Sequence, residues 1–226
     1  DNTATADSGS TPPVKGSGRL TLLLIAGIPV IMVLASSWLW FFVANGQLDL
    51  VSALGTSNRG DLVSPPRQVM EAGWSGPSGE AFDPLEGGTP RWVMVIPQAS
   101  ADCDALCESR LYETRQIHQA LGKELGRVRR VLITPADALN LSVEALSDDR
   151  PLPADFAAYL ATEQRGLTRW QSSAESFSEM FPELGQQAES WYLMDPNGWV
   201  MMRYDDSIDY KDVISDLKFL IKNSNG

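Results

Sequence analysis

Trp92-Val93-Met94-Val95-Ile96-Pro97-Gln98-Ala99-Ser100-Ala101-Asp102-Cys103-Asp104-Ala105-Leu106-Cys107 is the stretch on which the fold turns. Its first five residues form a short apolar run of the kind a strand buried on both faces requires. A polar turn and the only two cysteines of the chain follow, four positions apart. Beyond them Cys107, Leu111, Thr114, His118, Leu121 and Leu125 recur at spacings of three and four, marking one face of a helix that ends near Gly126. Val131-Leu132-Ile133-Thr134 supplies a second apolar strand and completes a βαβ unit.

Downstream, helices are expected over Ala154 to Gln164 and near Ser176 to Leu184. Trp191-Tyr192-Leu193-Met194 and Trp199-Val200-Met201-Met202-Arg203-Tyr204 flank Asp195-Pro196-Asn197-Gly198, a turn whose Asn-Gly pair tolerates positive φ, so the two runs predict a β-hairpin. A last helix carries Tyr210, Val213, Ile214, Leu217, Phe219, Leu220 and Ile221 largely on its packing side. The predicted order is βαβ, then ββα.

Upstream, Leu20 to Ala44 contains no charged residue, and these ~25 positions rise about 37 Å, enough to cross a bilayer. Trp38, Trp40, Phe41 and Phe42 cluster at one end, where aromatic rings favour the headgroup level. Lys15 and Arg19 precede the span and the first charge after it is Asp49, which predicts a cytoplasmic N-terminus and an exported C-terminal part. The expected organisation is a disordered cytoplasmic tail over 1–19, a transmembrane helix over 20–44, an extended juxtamembrane segment over 45–89 and one α/β domain over 90–226. Ser64-Pro65-Pro66, Gly76-Pro77-Ser78-Gly79 and Gly87-Gly88 punctuate the juxtamembrane part.

The chain carries 18 basic and 29 acidic residues, a net charge of −11. Such a surface is repelled by phosphate backbones, which excludes nucleic acid as an expected partner. For an exported domain the compartment is oxidising, so a cysteine pair there is relevant to redox chemistry.

Two thiols at this spacing can form a reversible disulfide or present soft thiolates to a metal such as Cu(I). A structural disulfide, or two thiols packed as small hydrophobes, are equally open readings. Residues i and i+4 of a regular helix hold their Cβ atoms about 5 to 6 Å apart, whereas a disulfide needs roughly 3.5 to 4.5 Å. Cys103 must therefore stand just before the helix if the pair closes. A helix N-terminus favours a thiolate, while Asp102 and Asp104 oppose it, and one of these aspartates is a candidate cap.

The element order, with a cysteine pair at the start of the first helix, is that of the thioredoxin fold. Within that fold the chain resembles the membrane-anchored Sco/SenC group of cytochrome c oxidase assembly proteins. The resemblance rests on Cys103-x-x-x-Cys107, on Trp191 through Gly198, on the single N-terminal anchor, and on Ser64-Pro65-Pro66-Arg67 and Leu111-Tyr112-Glu113-Thr114-Arg115-Gln116, which look like a divergent, Sco-like transmembrane set. It implies an inner-membrane, periplasm-facing protein that works on the oxidase, with Cys103 and Cys107 as catalytic thiols and as copper ligands. The alternatives are a non-catalytic accessory or scaffold subunit with a structural disulfide, and a general thiol-disulfide oxidoreductase.

The resemblance also implies a histidine ligand a few residues before the late strand, where this chain has Leu184-Gly185-Gln186-Gln187-Ala188-Glu189-Ser190. His118, the only histidine, lies about 16 Å along the helix from Cys107, too far to share a metal. It is expected to be a packed, hydrogen-bonded side chain. Met180 and Met194 flank the relevant loop and are the remaining soft donors. No proline stands immediately before Trp191, where thioredoxins place one beside the redox pair. Both thiol readings require sulfur that a partner can reach.

Overall fold

A computed structural model describes residues 18–44, 58–85, 88–135, 137, 139–141 and 153–224. The chain divides into two compact units, Asp1–Ser57 and Asn58–Gly226. The expected tail before residue 18 and the stretch 45–57 lie outside the described residues.

In the first unit, helix α1 (Gly18–Ala44) includes a stretch, Leu24–Phe42, long and apolar enough to span a bilayer. Its large side chains, among them Leu24, Ile25, Ile31, Leu34 and Trp40, are exposed, which suits a lipid environment. Ser36 donates its hydroxyl to the Met32 and Val33 carbonyls (2.8 and 3.1 Å), so its polar group is satisfied inside the helix, as hydrocarbon demands.

The second unit is built on a six-stranded mixed sheet. Its strands are β1 (Asp61–Gln68), β2 (Trp92–Pro97), β4 (Val128–Thr134), β6 (Leu167–Gln171), β7 (Trp191–Met194) and β8 (Trp199–Tyr204), in the order β1-β8-β7-β2-β4-β6. A separate two-residue ladder pairs β3 (Asp102–Cys103) with β5 (Asn140–Leu141). The apolar runs Trp92–Ile96 and Val131–Thr134 pair in parallel at the centre, joined by α2 (Ala105–Ala120). The hairpin β7–β8 adds antiparallel strands on the other side of β2. The expected βαβ then ββα order is present, closed by α5 (Tyr210–Asn223).

Period-two alternation sends the side chains of β2 to opposite faces. Trp92, Met94 and Ile96 pack with Leu111 and Ile117 of α2, with Phe156 and Tyr159 of α3 (Phe156–Glu163), and with Val213, Leu217 and Ile221 of α5. Val93 and Val95 pack on the opposite face with Phe177 and Met180 of α4 (Ala174–Met180). The hairpin turn is closed by Asp195, whose carboxylate accepts from the Asn197 and Trp199 amides (2.9 and 2.8 Å). Gly198 sits there at φ +88°, and a Cβ would meet the Gln68 side-chain oxygen at 2.7 Å, so this turn specifically requires glycine.

Three expectations need correction. The segment expected as a spacer over 45–89 contributes to the domain, which starts at 58 rather than at 90. Residues 61–68 form the edge strand β1 on β8, where prolines are tolerated because outward N–H groups have no partner to lose. Trp74 and Phe82 bury themselves in edge-to-face contact, and Phe82 and Trp170 repeat that geometry. Second, α2 ends at Ala120 instead of near Gly126, because Gly122 takes φ +60° and begins a 3₁₀ turn (Gly122–Arg127), leaving Leu125 exposed. Third, α4 stops at Met180, two residues before Pro182, whose ring cannot continue a helix, and a 3₁₀ turn (Pro182–Gly185) follows.

Arg67 of β1 locks that turn to the sheet. Its guanidinium bonds both carboxylate oxygens of Glu183 and the Met180 carbonyl (2.8 Å), and the Tyr192 hydroxyl donates to Glu183 at 3.0 Å. Burial pushes the Glu183 carboxyl up, but the bonds from Arg67 and Tyr192 outweigh it and hold the group below the usual carboxylate range. A depressed folded-state pKa means stability that is present above the unfolded value, about 4.3, and lost as pH falls through the folded value. Glu183→Gln is therefore expected to be less stable than the wild type at pH 7, with the difference shrinking below about pH 4, as read from urea midpoints measured across that range.

Candidate redox site

Cys103 and Cys107 form a disulfide with Cα atoms 5.1 Å apart. The geometry meets the constraint read from spacing: Cys103 ends β3, Asp104 is the N-cap, and only Cys107 lies on α2. The Asp104 carboxylate accepts from the Cys107 amide at 3.0 Å, so the candidate cap is Asp104. This satisfies one of the orphan amides of the first turn. Asp104→Ala is expected to destabilise the domain by about 1 kcal/mol, with Asp104→Asn restoring most of it, as measured by thermal melting.

Accessibility is where the structure departs from expectation. Cys103 is 0 % exposed and Cys107 1 %, and both belong to the apolar cluster of Ile96, Leu111, Leu139 and Phe156. The sulfurs do not face solvent.

Their loop is held by buried polar groups. Gln98, directly after β2, donates to the Ser100 and Asp102 carbonyls (3.2 and 3.0 Å) and accepts from Arg110 at 2.5 Å. Arg110, one turn beyond Cys107, also donates to the carbonyls of Pro97 and Ala188, both at 2.8 Å. On the outer side Asn140 pairs with Asp102 through its side chain (3.1 Å) and donates its amide to Ala101 (2.8 Å). Burial lowers the Arg110 pKa, with the charges of Asp104 and Glu189 acting in the opposite direction. Little in the sequence distinguishes Gln98 and Arg110 from solvent-facing polar residues. The one available signal is that position 110 shares a helical face with Cys107, Leu111 and Thr114.

The donor set does not fit a three-ligand copper site. His118 is half-buried, with Nε2 donating to the Val128 carbonyl at 2.8 Å, and burial lowers its pKa. It is a packing histidine, as expected. Met180 and Met194 belong to the cluster on the opposite face of the sheet from the cysteines. In the loop before β7, the Ala188 carbonyl is taken by a guanidinium, itself a cation. Among the described residues no group of three or more His, Cys, Asp or Glu could hold a metal ion.

Several solved structures are similar to the chain at low identity. Yeast Sco1 with copper bound is 16 % identical, matches over 76 % of this chain and 97 % of that one, and gives a TM-score of 0.48. Bradyrhizobium japonicum ScoI with copper bound is 16 % identical over 71 % and 98 %, at 0.43. A SCO1/SenC family lipoprotein from Bacillus anthracis is 17 % identical over 73 % and 99 %, at 0.44. No curated protein matches significantly. A family model described as "Transmembrane-like, thioredoxin-like, C-terminal domain" matches residues 92–224. That match begins at the first residue of β2, ends one residue past α5, and takes in more than half of the sequence, so the chain belongs to this family of transmembrane-like, thioredoxin-like C-terminal domains.

Proposed function

We propose that this protein is a membrane-tethered accessory factor of cytochrome c oxidase biogenesis in which the Cys103–Cys107 disulfide acts as a structural staple. The observation that carries this reading is the burial of both cysteines, at 0 and 1 % exposure, beneath a loop fixed by Gln98 and Arg110. Disulfide exchange requires in-line access of an attacking thiolate to sulfur. The Sco/SenC resemblance of the cysteine spacing, the late hairpin and the anchor supports the oxidase as the place of work. A single span in the inner membrane, with Lys15 and Arg19 on the cytoplasmic side, would put the domain in the periplasm. Tethering raises its effective concentration at a membrane-bound partner.

A second reading keeps Cys103 and Cys107 as working thiols that handle copper or a partner's thiol redox state. It draws support from the thinness of the cover, since the β3–β5 ladder is only two residues long on each side. The two readings separate in cells carrying Cys103→Ala with Cys107→Ala, with oxidase activity and copper content scaled to the amount of the variant present. The accessory reading predicts wild-type values for both. A loss of oxidase copper at equal protein level would instead assign the work to the thiols.

A further inference from the structure

A groove of about 700 Å³ runs along α2 on the side where the loop between β8 and α5 approaches it. Tyr112 of α2 and Tyr210 at the start of α5 line it and are both about half exposed. Ile208 contributes apolar surface over the buried Ile117, and three carboxylates, Glu113, Asp206 and Asp209, stand around it. Asp209 also caps α5 through the Lys211 amide.

This combination carries a negative charge. Among the described residues none of the three carboxylates takes part in an ion pair. Burial, and then the negative charge of Asp206, raise the pKa of the Glu113 carboxyl. Both rings already attract cations of their own helices, Arg115 lying 5.3 Å from the centre of Tyr112 and Lys211 5.8 Å from that of Tyr210. Arg115 is further engaged by Glu163.

The kind of cation that suits the groove follows from the spread of the donors. The described carboxylates do not converge as a metal site would require. Aromatic faces beside separated carboxylates instead suit a cation on a long apolar stem, which lays its methylenes on the rings and Ile208 and carries its charge to the acids. We propose that this groove docks a basic segment of a partner protein, taking an arginine or lysine side chain between Tyr112 and Tyr210 with Glu113 and Asp206 as its counter-ions. The site is separate from the disulfide and does not depend on whether the thiols work. The domain's strong net negative charge brings such a partner in, and the groove selects where it binds.

The test uses the full chain in detergent micelles and a fluorescently labelled, blocked hexapeptide of alternating leucine and arginine, with a leucine–glutamine peptide as comparison, read by anisotropy. The arginine peptide is expected to bind at least tenfold more tightly than the glutamine peptide. Glu113→Gln with Asp206→Asn is expected to weaken it about tenfold, and Tyr112→Leu with Tyr210→Leu to weaken it severalfold. Glu175→Gln with Glu179→Gln removes the same charge from α4, which packs on the opposite face of the sheet, and is expected to change nothing. Equal weakening by both carboxylate pairs would reduce the effect to bulk charge and overturn the proposal. So would an arginine peptide that binds no better than the glutamine one.

Discussion

Trp191→Ala is expected to destabilise the domain by about 3–5 kcal/mol, which for a unit of this size lowers the melting temperature by roughly 10 °C. Trp191 opens β7, is 1 % exposed, and stacks on Tyr204 of β8 with ring centres 4.6 Å apart and planes 22° from parallel. Truncation removes the largest fully buried side chain of the domain and leaves a void between the hairpin and α5. Among the described residues its indole N–H has no hydrogen-bond partner, so the native residue already bears the cost of a buried donor. Trp191→Phe deletes that donor while keeping an aromatic face, and is expected to lose less than half as much. Thermal melts of the two variants, followed by near-ultraviolet circular dichroism, give both numbers. Equal losses would show that stacking area contributes little.

Arg130→Ala carries the second large effect, about 3–5 kcal/mol, because it removes a buried charge that organises three elements. Arg130 stands on the central strand β4 at 1 % exposure and, among the described residues, bonds no carboxylate. It donates to the Leu111 carbonyl (2.8 Å), the Thr114 hydroxyl (3.2 Å) and the Gln164 side-chain oxygen (2.8 Å), and Gln164 in turn donates to the Tyr159 hydroxyl (3.0 Å). Burial, reinforced by the charge of Arg115, brings its pKa down to about 10. Alanine would strand the Gln164 oxygen and open a cavity between α2 and α3. Arg130→Met refills the volume without a charge to desolvate, so its loss is expected to be clearly smaller. Urea unfolding that finds methionine as damaging as alanine would assign the effect to the lost hydrogen bonds rather than to the cavity.

The parts of the fold legible in the sequence were those with local, periodic signals. The apolar run at Trp92, the helix face through Cys107 and Leu111, the Asn197-Gly198 hairpin and the final amphipathic helix each announce themselves within a few residues, and all are present. What escaped depends on distant partners. Strand β1 carries Pro65 and Pro66 and pairs with β8, more than 130 residues later, so nothing nearby marks it as a strand. Leu167–Gln171 lacks an apolar run and becomes β6 by pairing with β4 and, at Gln171, with Ser75. Arg130 carries no mark of burial and Arg110 only its place on the helical face of Cys107 and Leu111, because a guanidinium enters a core only when carbonyls and side-chain oxygens from other elements converge on it.

The candidate site divides the same way. The off-helix placement of Cys103 and the cap by Asp104 follow from spacing and helix chemistry, and both are observed. The sealing of the sulfurs could not be read, since Leu139, Phe156 and Tyr159 come from later segments of the chain. Covalent closure of so short a loop adds only about 2 kcal/mol on entropic grounds, so the staple sets the geometry where α2 begins more than it sets global stability.

The most direct test of a buried, structural disulfide is its reduction potential, measured by equilibrating the full chain in micelles with graded thiol buffers and trapping free thiols with a maleimide. The account predicts a midpoint below about −300 mV, with the native protein unlabelled in a glutathione buffer. A midpoint between roughly −200 and −120 mV, with rapid labelling of Cys103 or Cys107 in the folded state, would contradict it.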